Sequence, residues 1–432
     1  WYRFLIDPKP YQELERVPCS DDSAAANCVR PLADVNGAPV LDATLLAQRA
    51  AFLRDDSMVL IIMLSDENDC SAQVGNQGWV PFNIDDARPM TKGSSACATD
   101  PNDKCCYACV GAPPAGCAAD PACTSDSANL GRLAPELDGI NLRCYEQKRR
   151  FGQDFLYPTA RYVNALTLPQ LCTSALDLSS EGCAAADLVP NPLFASGRLP
   201  SEVYLSGILG VPWQAVASSQ DAYGRAIDPS EVLRFKNYGE LTNDGVWSQI
   251  VGSPGVAWRP ATASQPEVLS SPGTLPTLPQ MVESPQFPRP GVTVGNALNG
   301  RDYDATQGTA NGGTPRADDL QYACIFPLSA PRDCAQLDPN IDNCDCYAQV
   351  EDRPLCEQTP GSSAAGSVQY WAKAYPGSRQ LQVLKDFGAQ TTNSIVASIC
   401  ARNTTDAARS DYGYRPAMAA IVERLQAPPD SP

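Results

Sequence analysis

The chain has 432 residues, 18 cysteines, no histidine and a formal charge of −17. That charge excludes nucleic acid and anionic membrane surfaces as partners, because both select clustered Lys and Arg. An even number of cysteines without imidazole argues for a disulfide framework and export over zinc or iron sites, which draw heavily on histidine.

The candidate half-cystines fall in two blocks. The first holds Cys19, Cys28, Cys70, Cys97, Cys105, Cys106, Cys109, Cys117, Cys123, Cys144, Cys172 and Cys183. The second holds Cys324, Cys334, Cys344, Cys346, Cys356 and Cys400. Connectivity cannot be read from spacing. Cys106-Tyr-Ala-Cys109 has redox or zinc-ligand spacing, but its loop-like, cysteine-dense surroundings favour a stapled excursion.

In chain order, residues 41–53 (LDATLLAQRAAFL) predict a helix capped by Asp42, with Leu45, Leu46, Ala50 and Leu53 on one face. Residues 58–64 (MVLIIML) form a continuous apolar run, the pattern of a strand covered on both faces. Residues 155–166 read as a helix with Pro158 in its first turn. A second strand is predicted over 202–209, stopped by Gly210-Val211-Pro212. Nine prolines between 253 and 295 remove backbone donors and predict an extended surface segment, continued irregularly to about Pro315. A helix over 379–387 ends at Gly388, a strand covers 394–399, and a closing helix covers 416–425. Strands alternating with helices imply an α/β fold, a parallel sheet with crossover helices and long insertions. The chain divides into core (1–66), Cys-rich insertion (67–150), core (151–211), Pro/Gly-rich and second Cys-rich insertion (212–378) and core (379–432).

Asp66, Glu67, Asn68 and Asp69 cluster just beyond the strongest strand, where open α/β sheets bind ligands. Such oxygen donors suit calcium or magnesium, although no cofactor is required by the sequence. Asp338, Asn340 and Asp342 carry alternate oxygens like the opening of a calcium loop, without the glycine and glutamate of an EF-hand. Catalysis finds little support. There is no histidine base, no Gly-x-Ser-x-Gly elbow and no phosphate loop. No apolar run approaches the roughly 20 residues of a membrane span. The start at Trp1 leads to the expectation that a targeting segment has been removed.

The order helix, MVLIIMLSDENDC, helix, strand, helix, strand, helix resembles the later half of a von Willebrand A domain. FLRDDSMVLIIMLSDENDCS, RYVNAL, EVYLSGILGVP and IVASICARN followed by GYRPAMAAIVERL are also similar to secreted or lipoprotein-type A-domain-like proteins of myxobacteria and their relatives. The resemblance implies a Rossmann-like A-type parallel sheet with helices on both faces. Asp66 then stands where the family's Thr-Asp-Gly motif supplies a metal ligand, and 1–7 (WYRFLID) is a remnant strand feeding the sheet edge. Glu67 replaces the glycine, and no Asp-x-Ser-x-Ser motif occurs, so a complete adhesion site cannot be assembled from this chain alone.

The function expected is a non-enzymatic structural or protein-binding component in the periplasm, on the outer membrane or outside the cell. Its partners would be other envelope or extracellular subunits, or the missing first half of the same domain, met through residues 253–320. Two alternatives stand beside it, a divalent-metal-dependent adhesion domain and a carboxylate-dependent hydrolase.

Overall fold

A computed structural model describes residues 1–18, 27–74, 81, 89–124, 130–173, 183–228, 230–252, 257–259, 268–270, 274–285, 288–304, 308–309, 315–316, 319–338, 344–346, 353–362 and 366–427. Helix α1 (Ala43–Phe52) begins where the Asp42 carboxylate accepts the Leu45 amide at 2.9 Å, satisfying a donor that helix geometry leaves open. Its buried residues are Leu45 and Arg49, whereas Ala50 on the expected apolar face is exposed. Arg49 turns inward because its guanidinium donates to the Arg3 and Phe4 carbonyls of a short helix, Tyr2–Leu5. That helical turn replaces the expected strand at the start of the chain.

The chain continues through β1 (Val59–Ser65), α2 (Thr159–Thr167), β2 (Val203–Leu209), β3 (Cys324–Asp333), β4 (Val368–Ala374), α3 (Ser378–Thr391), β5 (Ser394–Ser398) and α4 (Arg415–Gln426). Strands β5, β2 and β1, in that order, form a three-stranded parallel sheet, with Val59 opposite Val203 and Ser394 opposite Leu205. Every residue of β2 and β5 is buried, so both of their faces are covered. β1 departs from expectation. It is the edge strand, with Ile62 43% and Leu64 59% exposed, and its outer side pairs with no strand among the described residues.

Two helix boundaries also differ from the sequence reading. Pro158 is extended and precedes α2, so 155–157 stay irregular and Leu156 bridges Ala72. Helix α3 runs through Gly388. A Cβ there would lie 2.2 Å from the Tyr238 ring and 2.3 Å from Ser394 Oγ, so this glycine permits close packing and does not end the helix. The left-handed stop falls at Thr392, φ 57°.

A second core lies beside the sheet. β3 and β4 pair antiparallel with a register shift between Pro327 and Arg332, and they pack with Tyr303, Tyr322, Tyr375 and Leu355. Much of 278–303 builds the interior, contrary to the expected surface role. Met281, Val292, Arg289, Asn299 and Asp302 are all buried there. Arg289 makes 2.8 Å and 2.6 Å contacts from Nε and Nη2 to the two Asp302 oxygens, and donates further to the Gln280, Val282 and Tyr322 carbonyls. Prolines confine the region to turns here because they supply no amide, and the arginine satisfies the carbonyls left over. Within the proline-rich stretch, Ala257–Arg259 and Val268–Ser270 form a two-stranded antiparallel ribbon.

Among the described residues eight disulfides join Cys70–Cys144, Cys97–Cys106, Cys105–Cys117, Cys109–Cys123, Cys172–Cys183, Cys324–Cys400, Cys334–Cys344 and Cys346–Cys356. Cys106 and Cys109 therefore belong to different bridges. Cys19 and the side chain of Cys28 lie outside the described residues. A chain with this many bridges matures outside a reducing cytosol. No helix among the described residues is long and apolar enough to cross a membrane.

Candidate functional site

The loop after β1 is built as a clamp on α3. Ser65 Oγ donates to the Glu67 carbonyl at 2.9 Å and accepts the Glu67 amide at 3.1 Å, folding the loop back on the strand end. Asn68 Oδ1 accepts the Arg379 amide at 3.0 Å, taking up a free donor in the first turn of α3, while its Nδ2 donates to Glu283 at 2.9 Å. Asp69 accepts Ser71 Oγ at 2.6 Å and pairs with Arg379 Nε at 3.3 Å.

The four candidate metal ligands therefore diverge. Asp66 and Glu67 line a polar cleft of about 730 Å³ with Asp319, Asp345, Lys373 and Tyr375. Asn68 and Asp69 line a different, aromatic cleft of about 630 Å³. Among the described residues no group of three or more acidic or cysteine side chains is arranged to hold a metal ion. Asp338 is exposed, and Asn340 and Asp342 lie outside the described residues.

The polar cleft brings together groups that spacing could not connect. Tyr375 donates to Asp319 at 2.7 Å, and Lys373 and Arg353 both reach Asp345 Oδ1, at 2.6 Å and 3.0 Å. Burial pushes the Tyr375 hydroxyl far up, reinforced by Tyr322 and Asp319. Burial works against charge on Lys373, but Tyr322, Asp345 and Asp319 outweigh it and hold the ammonium form. Glu67 is pushed up to about 7, first by the protein around its carboxyl and then by Asp66 and Asp319, with Lys373 opposing. The residue's outer surface is exposed, so solvent screens part of that field. Asp319, Lys373 and Tyr375 escaped the sequence reading, since nothing in a run such as YWAKAY marks which side chains turn toward residue 67.

Glu283, which accepts from Asn68, is also pushed up to about 7 by burial and then by Glu146. Between about 4.5 and about 7 the folded chain retains protons on Glu67 and Glu283 that the unfolded chain has released, so stability falls as pH rises through that window. Thermal melts from about pH 5 to about pH 8 are expected to decline. Glu283→Gln, which keeps an acceptor for Asn68, should flatten that slope, and an unchanged slope would remove Glu283 from the account.

No family model, no curated protein and no solved structure matches this chain.

Proposed function

We propose that this chain is an exported, non-enzymatic component that binds another protein by accepting an extended segment of it along the open edge of β1. The observation that carries the reading is the edge itself. Six of the seven residues of VLIIMLS are apolar, yet Ile62 and Leu64 face solvent, and no Lys or Pro guards the strand. Proteins normally blunt such edges, and an unblunted one is a template for an added strand. Exposed acids flank it, Asp55 and Asp56 at one end and Asp66 and Glu67 at the other. An antiparallel pairing of two copies would set these acids against each other, whereas an apolar segment flanked by Lys or Arg is complementary. An A-type sheet and a periplasmic, outer-membrane-associated or extracellular location are part of the same proposal, supported by the parallel strand order and the disulfides.

A synthetic Lys-Lys-Val-Thr-Val-Thr-Val-Lys-Lys peptide is expected to bind and to protect the β1 amides from hydrogen exchange, and the Glu-flanked version is not. Ile62→Lys should weaken binding roughly tenfold or more by placing a desolvated charge in the new pairing. Absence of protection, or equal binding by the variant, would sink the proposal. A β1-mediated dimer in sedimentation would put a second copy in place of the partner.

A second reading, a carboxylate-dependent hydrolase, draws on Glu67, which near neutrality has the protonation a general acid needs and shares its cleft with Asp319. A metal-dependent adhesion site is supported least, because Asn68 and Asp69 are already committed to α3, Glu283 and Ser71.

A further inference from the structure

The aromatic cleft lies between the chain's first turn, the end of β1, α2 and α3. Its volume of about 630 Å³ falls within the range of small-molecule sites. Arg161, on α2, lines it and is only 8% exposed. The guanidinium packs over two rings, 3.6 Å from the Tyr2 centroid and 3.5 Å from that of Tyr157. Its Nε is buried without a hydrogen-bond partner, and no carboxylate pairs with Arg161 among the described residues. The Tyr2 hydroxyl is a polar neighbour. The acids of the same cleft are engaged elsewhere, Asp69 with Arg379 and Ser71, and Asp7 with the Lys9 amide.

We propose that this cleft binds a small organic carboxylate with an apolar or aromatic body, recognised by Arg161. A guanidinium packed against aromatic rings keeps its N–H groups at its edge, and a planar carboxylate matches that edge with two parallel bonds. The tyrosine clamp offsets part of the cost of burying the cation and fixes its orientation before the ligand arrives. Met63, Leu64, Val383 and the Trp1 and Tyr162 rings give the rest of the ligand an apolar wall. The cleft shares Leu64 at the end of β1 with the proposed docking edge, but carboxylate recognition rests on Arg161 and not on that edge.

Calorimetric titration of the whole chain with 3-phenylpropionate, benzoate and 4-hydroxybenzoate tests the proposal, with 3-phenylpropionamide as the neutral counterpart. At least one acid is expected to bind saturably, and 3-phenylpropionate to bind at least about tenfold more tightly than its amide. Arg161→Met should abolish that preference while the chain still melts cooperatively. Ala72→Phe, which adds a ring to the cleft lining and leaves Arg161 unsubstituted, should abolish binding of both and serves if Arg161→Met fails to fold. No saturable binding by any of the acids, equal affinity for acid and amide, or a preference that survives Arg161→Met would overturn it. Binding unaffected by Ala72→Phe would place the ligand elsewhere and overturn it equally.

Discussion

Asp302→Ala is expected to destabilise the chain by about 3–5 kcal/mol, the largest loss from any single substitution considered. The reason is the company Arg289 keeps. Its side chain is 2% exposed, that of Asp302 0%, and all five of its donors are used, on both Asp302 oxygens and three carbonyls. Asn299 adds a 2.7 Å bond to the same carboxylate. Removing the aspartate leaves a cation with no route to water and no counter-charge. Replacing both partners, as Asp302→Leu with Arg289→Met, removes the stranded charge but frees the Gln280 and Val282 carbonyls and the Arg289 amide, while the Tyr322 carbonyl keeps its bond from Asn299. The pair should therefore cost less than Asp302→Ala alone without reaching wild type. Urea unfolding midpoints at constant m-value measure both. A midpoint for Asp302→Ala close to wild type would mean that the region around 289 opens to solvent.

The second large effect is expected at Cys324–Cys400. Both residues are 1% exposed, and the bridge ties the first residue of β3 to the chain just beyond β5, across a separation of 76 residues. Closing a loop of that length in the unfolded chain corresponds to about 4.5 kcal/mol on the chain-entropy relation. The Cys324→Ala, Cys400→Ala pair should lose about that amount in guanidinium unfolding under non-reducing conditions, with the sheet still formed. A loss below about 1 kcal/mol would show that the unfolded chain is already compact around these positions.

How far the sequence carried is clearest at particular residues. Asp42 was legible as a cap because capping needs only a short polar side chain just before an apolar periodic run. β1 was legible as a strand, but its apolar composition could not tell whether a second neighbour would cover it, and none does among the described residues. Gly388 was misread because a glycine that ends a helix and one that admits a neighbouring ring look the same without Tyr238 in place. SDEND was rightly placed at the sheet's C-terminal end, yet its four side chains part toward two clefts, a consequence of the Ser65 turn and of Asn68 meeting α3. Asp319 and Tyr375, and Tyr2 against Arg161, come from distant segments and converge only in the tertiary fold.

The spacing of the bridges also orders the assembly of the molecule. Six of the eight disulfides span 14 residues or fewer, and two span 74 and 76. Short loops close at little entropic cost and can form while the chain is still emerging, whereas the long ones must wait for their ends to meet. Cys70 follows β1 and Cys400 follows β5, the two outer strands of the sheet, so each long closure takes one end from a different side of it. The local knots are thus scaffolding that can precede the fold. The two long bridges act as latches, shut once the strands have found their neighbours.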